Sequence, residues 1–208
     1  VCTEVVRTSF IPTQEDYSMI GKKNIAFGFL YLVLTASLGP YMIVTQFPAV
    51  AQAGAIRQAK LSTLQQEASN GFVDNELNTM TPKQIAEANT GAILALSASL
   101  NAEAPIDAIK GGPHAHGNLE SLLNIAAGLV LCFLAIPVWF KQTISWVFIA
   151  GALMHSGMLY MSVALKWHWA EVWASSPFAA VGPLLVLAGF ALIGIATIIG
   201  FRGELVRD

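Results

Sequence analysis

Charge is what this sequence lacks. Of 208 residues, 12% are Asp, Glu, Lys or Arg, while 55% are hydrophobic. A soluble domain carries about 25% charged residues, so the composition excludes a water-soluble globule and a disordered chain alike. The formal charge is −2 and there is no long basic run, which excludes nucleic acid as a partner. Cysteine is equally scarce. Cys2 and Cys132 cannot build a disulfide framework, an iron–sulfur cluster or a four-thiolate zinc site. The first 21 residues are too polar, and too poor in basic residues, for a cleavable signal peptide. What remains is an integral membrane protein.

Stretches without charge fix the spans. No residue from 24 to 56 is charged; 20 uncharged residues separate Glu120 from Lys141, 24 separate Lys141 from Lys166, and 30 separate Glu171 from Arg202. A helix needs about 20 apolar residues to cross a bilayer, and its backbone must be satisfied internally. The expected fold is therefore all-α: an integral membrane four-helix bundle with spans at 24–46, 118–140, 143–165 and 177–201. Residues 1–23 form a tail before the first span, and 47–117 form an insertion before the second. The basic residues Arg7, Lys22, Lys23, Lys141, Arg202 and Arg207 fall on one side, which places both termini in the cytoplasm. Trp139 and Trp146 mark the inner interface; Trp167, Trp169 and Trp173 mark the outer one. A bacterial inner membrane, N-in and C-in, is the expected setting.

The insertion reads as helical. Residues 49–69 are rich in Ala, Gln and Leu and stop at Asn70-Gly71, a left-handed cap. Thr81-Pro82-Lys83-Gln84 supplies an N-cap, a first-turn proline and a capping-box glutamine. A second helix over 82–100 follows, and Gly111-Gly112-Pro113 breaks the chain before the second span. This periplasmic cap lacks histidine, cysteine and phosphate-loop glycines up to that break, so docking or lid duty is expected of it.

Ionisable residues inside a span are costly, about 2.5–3.5 kcal/mol at mid-membrane, and here they cluster. His116, Glu120, Asn124 and Gly128 recur every four residues, forming one inward stripe on the second span. His155 lies in the middle of the third, about 15 Å from its outer end by helical rise, at the depth of the stripe's lower part, where Asn124 lies. His114 precedes the same helix as His116, and either is a candidate ligand. Two or three imidazoles in an apolar bundle suit haem b, with His116 and His155 as the axial pair. Glu120 would orient an imidazole, and Gly117, Gly128, Gly151 and Gly157 are candidate surfaces for a flat ring. Lys110 and Lys166 are candidate propionate partners. Copper or zinc on His114, His116 and Glu120 is the alternative; the plain one is that these histidines hydrogen-bond neighbouring helices. Met154, Met158 and Met161 read as packing, Cys132 as an apolar filler, and Gly39-Pro40 and Ile136-Pro137 as kinks or span ends.

These residues carry two resemblances. Lys23-Asn24-Ile25-Ala26-Phe27-Gly28, and then His114-Ala115-His116-Gly117-Asn118-Leu119, resemble the first two helices of the catalytic subunit of haem-copper oxidases and nitric oxide reductases, over about a quarter of the chain. There a histidine opening the second helix ligates a low-spin haem, and His116 matches it. The later histidine-rich helices of that family have no counterpart. The whole-chain layout is similar to styrene oxide isomerase, a four-span haem b protein, with His116, Asn124 and Tyr160 matching its haem ligand, polar partner and site tyrosine. Two more residues separate His116 from Asn124 than in that family.

The expected function is thus a haem-b-binding electron-transfer or accessory subunit of a larger redox membrane complex or homo-oligomer, fed by quinol or a periplasmic donor. Two alternatives stand beside it: a haem-dependent epoxide isomerase using Tyr160 and Asn124, and a cofactor-free structural subunit.

Overall fold

The computed structural model describes residues 19–73 and 78–206; Cys2, Arg7 and Arg207 lie outside the described residues. Among these the chain is helical with no strand: α1 (Ile20–Ala36), α2 (Leu38–Thr45), α3 (Phe47–Ser69), α4 (Pro82–Ile109), α5 (Ala115–Leu131), α6 (Val138–Ala152), α7 (His168–Ala174) and α8 (Val181–Gly200). Four helical runs are long and apolar enough to cross a membrane: Ile20–Thr45, Pro82–Leu131, Val138–Ala164 and Pro177–Gly200. Exposed Leu, Ile, Phe and Val side chains cover their outer faces, as a lipid-facing bundle requires.

Two of these runs are longer than a bilayer. The helix through α1 and α2 continues across Gln46 into α3, and α4 runs through a π-helical segment, Lys110–His114, into α5. The result is a long antiparallel hairpin whose far half, α3 against α4, stands clear of the bundle as a stalk; α3 has no buried residue. At its tip Gly71 and Phe72 take positive φ of 70° and 61°, and Thr81 with Gln84 forms the reciprocal capping box that starts α4. The expected break at Gly111-Gly112-Pro113 is a kink rather than a gap: Gly112 leaves helical geometry at φ −96°, ψ −109°, and the helix resumes.

The turn between the second and third spans departs from its expected place. Charge pattern put it at Lys141, but α5 ends at Leu131 and α6 begins at Val138. Pro137 explains the shift: it is the N-cap of α6, with extended ψ of 139°, and proline is tolerated at a helix start but not in its interior. Lys141 sits inside the first turns of α6 and is 1% exposed. The C-terminal residues close this end by pairing with the turn, through Ala135 N to Gly200 O at 2.7 Å and Arg202 N to Phe133 O at 2.8 Å. The start of α1, the α5–α6 turn and the chain's last described residues therefore share one end of the bundle; the stalk rises from the other.

Candidate functional site

The site is built on the seam between α1 and α5. Along α1 the buried residues Asn24, Gly28, Tyr31 and Thr35 recur at spacings of four, three and four, one face of a helix. Glycine lets the backbones nearly touch. A Cβ on Gly21 would stand 2.1 Å from the Gly128 carbonyl oxygen, and one on Gly28 would stand 2.6 Å from that of Ser121. Small residues are the usual means of close helix approach where lipid supplies no hydrophobic drive. Polar side chains fill the seam in two layers, where α6 closes it.

The layer nearer the stalk is centred on Glu120. Its side chain is 5% exposed, and its Oε1 lies 2.5 Å from Nδ1 of His155. The other oxygen, Oε2, accepts from the Ser156 hydroxyl, which lies 2.8 Å from the Tyr31 hydroxyl. His155 and Ser156 are consecutive, yet both reach one carboxylate. They belong to a π-helical turn, Leu153–Gly157, that interrupts the α6 run, a distortion frequent at functional sites. The ring of His116, exposed, stands 4.6 Å from that of His155, tilted by 52°. His155, Glu120, Ser156 and Tyr31 thus form one hydrogen-bonded row, and the exposed His116 ring packs against its imidazole end.

The second layer lies about 10 Å deeper, the rise of the seven residues from Tyr31 back to Asn24. Asn24 Nδ2 donates to Asn124 Oδ1 at 3.0 Å and to the Ser145 carbonyl at 3.1 Å, and the Ser145 hydroxyl donates to Asn24 Oδ1. Asn124 Nδ2 donates in turn to the Glu120 carbonyl at 3.0 Å, tying the layers together. Asn24, Asn124 and Ser145 are all essentially solvent-free. Toward the chain ends, Lys23 Nζ donates to Gln142 at 2.8 Å and sits 4.1 Å over the Trp146 ring.

The structure therefore brings Glu120, His155 and His116 together and sends the other expected site residues elsewhere. His114 turns to α1, its Nδ1 3.0 Å from the Thr35 carbonyl oxygen, with Gly39 beneath the ring. Asn124 is in the deeper layer. Gly128 presses on Gly21, Gly117 on Thr35, and Gly151 on Val186 and Gly182, so none of the three offers a bare surface to a planar guest. Tyr160 packs with Leu38, Met42 and Ile109. The isomerase pair Asn124 and Tyr160 is thus divided between two regions. Lys110 and Lys166 are exposed, His168 is exposed beside Glu171, and Cys132 is buried with its Sγ donating to the Gly128 carbonyl at 3.3 Å. Sequence reasoning missed Asn24, Tyr31, Ser145 and Ser156. The spacing along α1 was the available signal.

The donor set can be tested against iron. With metal–nitrogen bonds of about 2 Å, two imidazoles on opposite faces of one macrocycle hold their nitrogens about 4 Å apart, and their ring centres about 2 Å farther. Ring centres 4.6 Å apart and inclined at 52° are in mutual contact. His116 and His155 do not fit a haem gripped from both faces. Among the described residues no three His, Cys, Asp or Glu side chains gather as a metal-binding group. What the arrangement offers is proton chemistry: a carboxylate in a membrane span, hydrogen-bonded to an imidazole that leads outward. Compared with known proteins, the chain matches no family model, no curated protein and no solved structure.

Proposed function

We propose that this chain is an accessory subunit of a larger membrane assembly, in which His116, His155 and Glu120 hand protons between the stalk-end surface and the interior of the bundle. One observation carries the reading: Glu120, ionisable and buried in a spanning helix, shares its carboxylate between His155 and Ser156. Ionisable residues at such depth are rare, face the interior of a bundle, and mark relays and ion paths. An imidazole suits the step because its two nitrogens separate arrival from departure. A proton accepted at Nε2 of His155 is matched by one released from Nδ1 to Glu120, which leaves His155 neutral and the carboxyl protonated. Ser156 and Tyr31 extend the row by two hydroxyls. His116 is the exposed member of the group.

Infrared spectroscopy on the purified protein in lipid nanodiscs tests this. A carboxyl band that shifts in heavy water and vanishes in Glu120→Gln is expected, and His116→Ala should slow its exchange. A carboxyl signal that is absent, or indifferent to His116, would overturn the reading.

A second reading has its own observation. Two imidazoles bound at about a right angle to one metal ion, with bonds of about 2 Å, hold their ring centres between about 4 and 5 Å apart, the spacing seen for His116 and His155. Their ligand would be a single copper or zinc ion, completed by water or another subunit, with Glu120 orienting His155 from behind. Elemental analysis together with a pyridine haemochrome assay separates the cases. Stoichiometric copper or zinc lost in His155→Ala supports the metal site. A haemochrome signal supports the resemblance to haem proteins, with the porphyrin carried on one imidazole. Neither signal leaves the relay.

A further inference from the structure

The stalk keeps its small side chains inside and its larger ones outside. Above its base, α4 buries only Ala92, Ala95 and Ser99, on the side that meets α3. Ile93, Leu96 and Leu100 are instead 65%, 40% and 55% exposed. They recur at spacings of three and four, the strip of a coiled coil, set about a quarter turn round the helix from the buried residues. The outward face of α3 is different in kind: Gln52, Ala55, Ala59, Ser62 and Gln66 are exposed and small or polar. A helix in a four-helix bundle packs on two neighbours and so carries two seams. Within a single hairpin α4 fills one of them, and the second is the more apolar of the two.

We propose that a second copy of this chain covers the strip, its α4 lying parallel and in register so that two stalks close into one four-helix bundle. Two copies in one membrane raise their stalks from the same face, to the same height. A two-fold axis along the membrane normal then sets Ile93, Leu96 and Leu100 each opposite its own counterpart. Ile93 and Leu100 take position a and Leu96 position d, and a β-branched a with leucine at d favours two parallel strands. Charge permits the self-pairing: no residue from 88 to 102 is charged, and Glu103, next along the seam, is held 3.6 Å from Arg57 of its own hairpin. Asn89, exposed at the preceding d position, can pair amide to amide with its counterpart, and a polar residue in such a seam fixes register. Lipid does not fit. The uncharged run of 15 residues is shorter than the about 20 that cross a bilayer, and α3 carries Arg57 and Lys60 alongside it. Area separates a second copy from a soluble partner. From Ala86 to Leu100 the strip is about 21 Å long and one helix wide, well under the roughly 1,200 Å² of a stable free-standing complex. A copy anchored in the same bilayer is already concentrated beside the strip, and the small area then suffices. The pairing is independent of the proton relay.

The test uses the full chain in liposomes at low protein density. Single-molecule photobleaching should count two copies per spot. Leu96→Cys, in a chain also carrying Cys2→Ala and Cys132→Ala, should give a covalent dimer as the major product of mild oxidation, because position d meets its counterpart at the axis. Ala59→Cys, on the outward face of α3, should give little. Ile93→Glu with Leu100→Glu sets like charges against each other across the axis and should cut the dimer fraction at least tenfold. Both positions are exposed in the single chain, so helicity by circular dichroism should hold. A wild-type chain that stays single overturns the proposal, whether its strip lies bare or is covered by lipid or by another protein. Equal cross-linking at the two cysteine positions overturns it too, as does a dimer that survives both glutamates, which would place the contact in the spans. Loss of the Glu120 carboxyl band leaves the pairing untouched, and a single-copy chain leaves the relay untouched.

Discussion

Replacing Glu120 by alanine, and separately by glutamine, tests the geometry most directly. Alanine removes the acceptor for His155 Nδ1, at 2.5 Å, and for the Ser156 hydroxyl. Hydrogen bonds between helices in membranes contribute about 0.6 kcal/mol on average and about 1.7 at most. Two of them set an expected loss of about 1–3 kcal/mol for Glu120→Ala. The Ser156 end is cushioned, because its hydroxyl also contacts the Ala152 carbonyl and Tyr31. Most of the loss should therefore fall on His155. Glutamine keeps one carbonyl acceptor, and the imidazole can change tautomer to meet the amide N–H, so Glu120→Gln should cost about 1 kcal/mol or less. Thermal unfolding in nanodiscs reads both. A double-mutant cycle with His155→Ala isolates the bond, and a coupling of about 0.5–1.7 kcal/mol is expected. Strict additivity would refute the contact; a glutamine variant as damaged as the alanine one would refute the hydrogen-bond account.

Other outcomes follow from packing. Gly21→Ala drives a methyl into the Gly128 carbonyl and should lower stability by about 1–3 kcal/mol, with inter-helix distances by spin labels on α1 and α5 widening in step. Gly54→Ala meets nothing within 4 Å on α3 and should raise stalk helicity, gaining up to about 1 kcal/mol by hydrogen-exchange protection of α3. Asn24→Ala strips the deeper layer of donors to Asn124 and Ser145 and should cost about 1–3 kcal/mol, whereas His168→Ala, on an exposed side chain, should leave unfolding and the infrared carboxyl band unchanged.

The sequence made the all-helical class, the four apolar runs and the helical insertion legible because each depends on local composition: an absence of charge, a capping box, a glycine stop. The turn at 132–137 was misplaced because Lys141 was read as a surface charge. A lysine can be buried at a helix start, and proline, not charge, marks where the following helix begins here. A meeting of His155 with the stripe was legible from helical rise, which puts it level with the stripe's lower part, about a turn below Glu120. Its hydrogen bond to Glu120 was not, because it depends on the π turn that brings both His155 and Ser156 to the carboxylate. The glycines of α5 carried a signal that was read for the wrong partner. They are flat because another helix lies on them. Asn24 was overlooked because it stands at a span boundary, where an asparagine ordinarily faces water, and only the contacts of α6 place it inside.

The kink at Gly112 has a mechanical consequence. Beyond it α4 extends 28 residues, an arm of about 42 Å at 1.5 Å per residue, while Glu120 lies about two turns below the same point. A partner that grips the far tip and swings it by about 10° displaces it by about 7 Å on that arm. The kink is the natural pivot, since Gly112 is the residue already out of helical geometry. A swing of that kind is taken up at a hinge about two turns from the buried carboxylate.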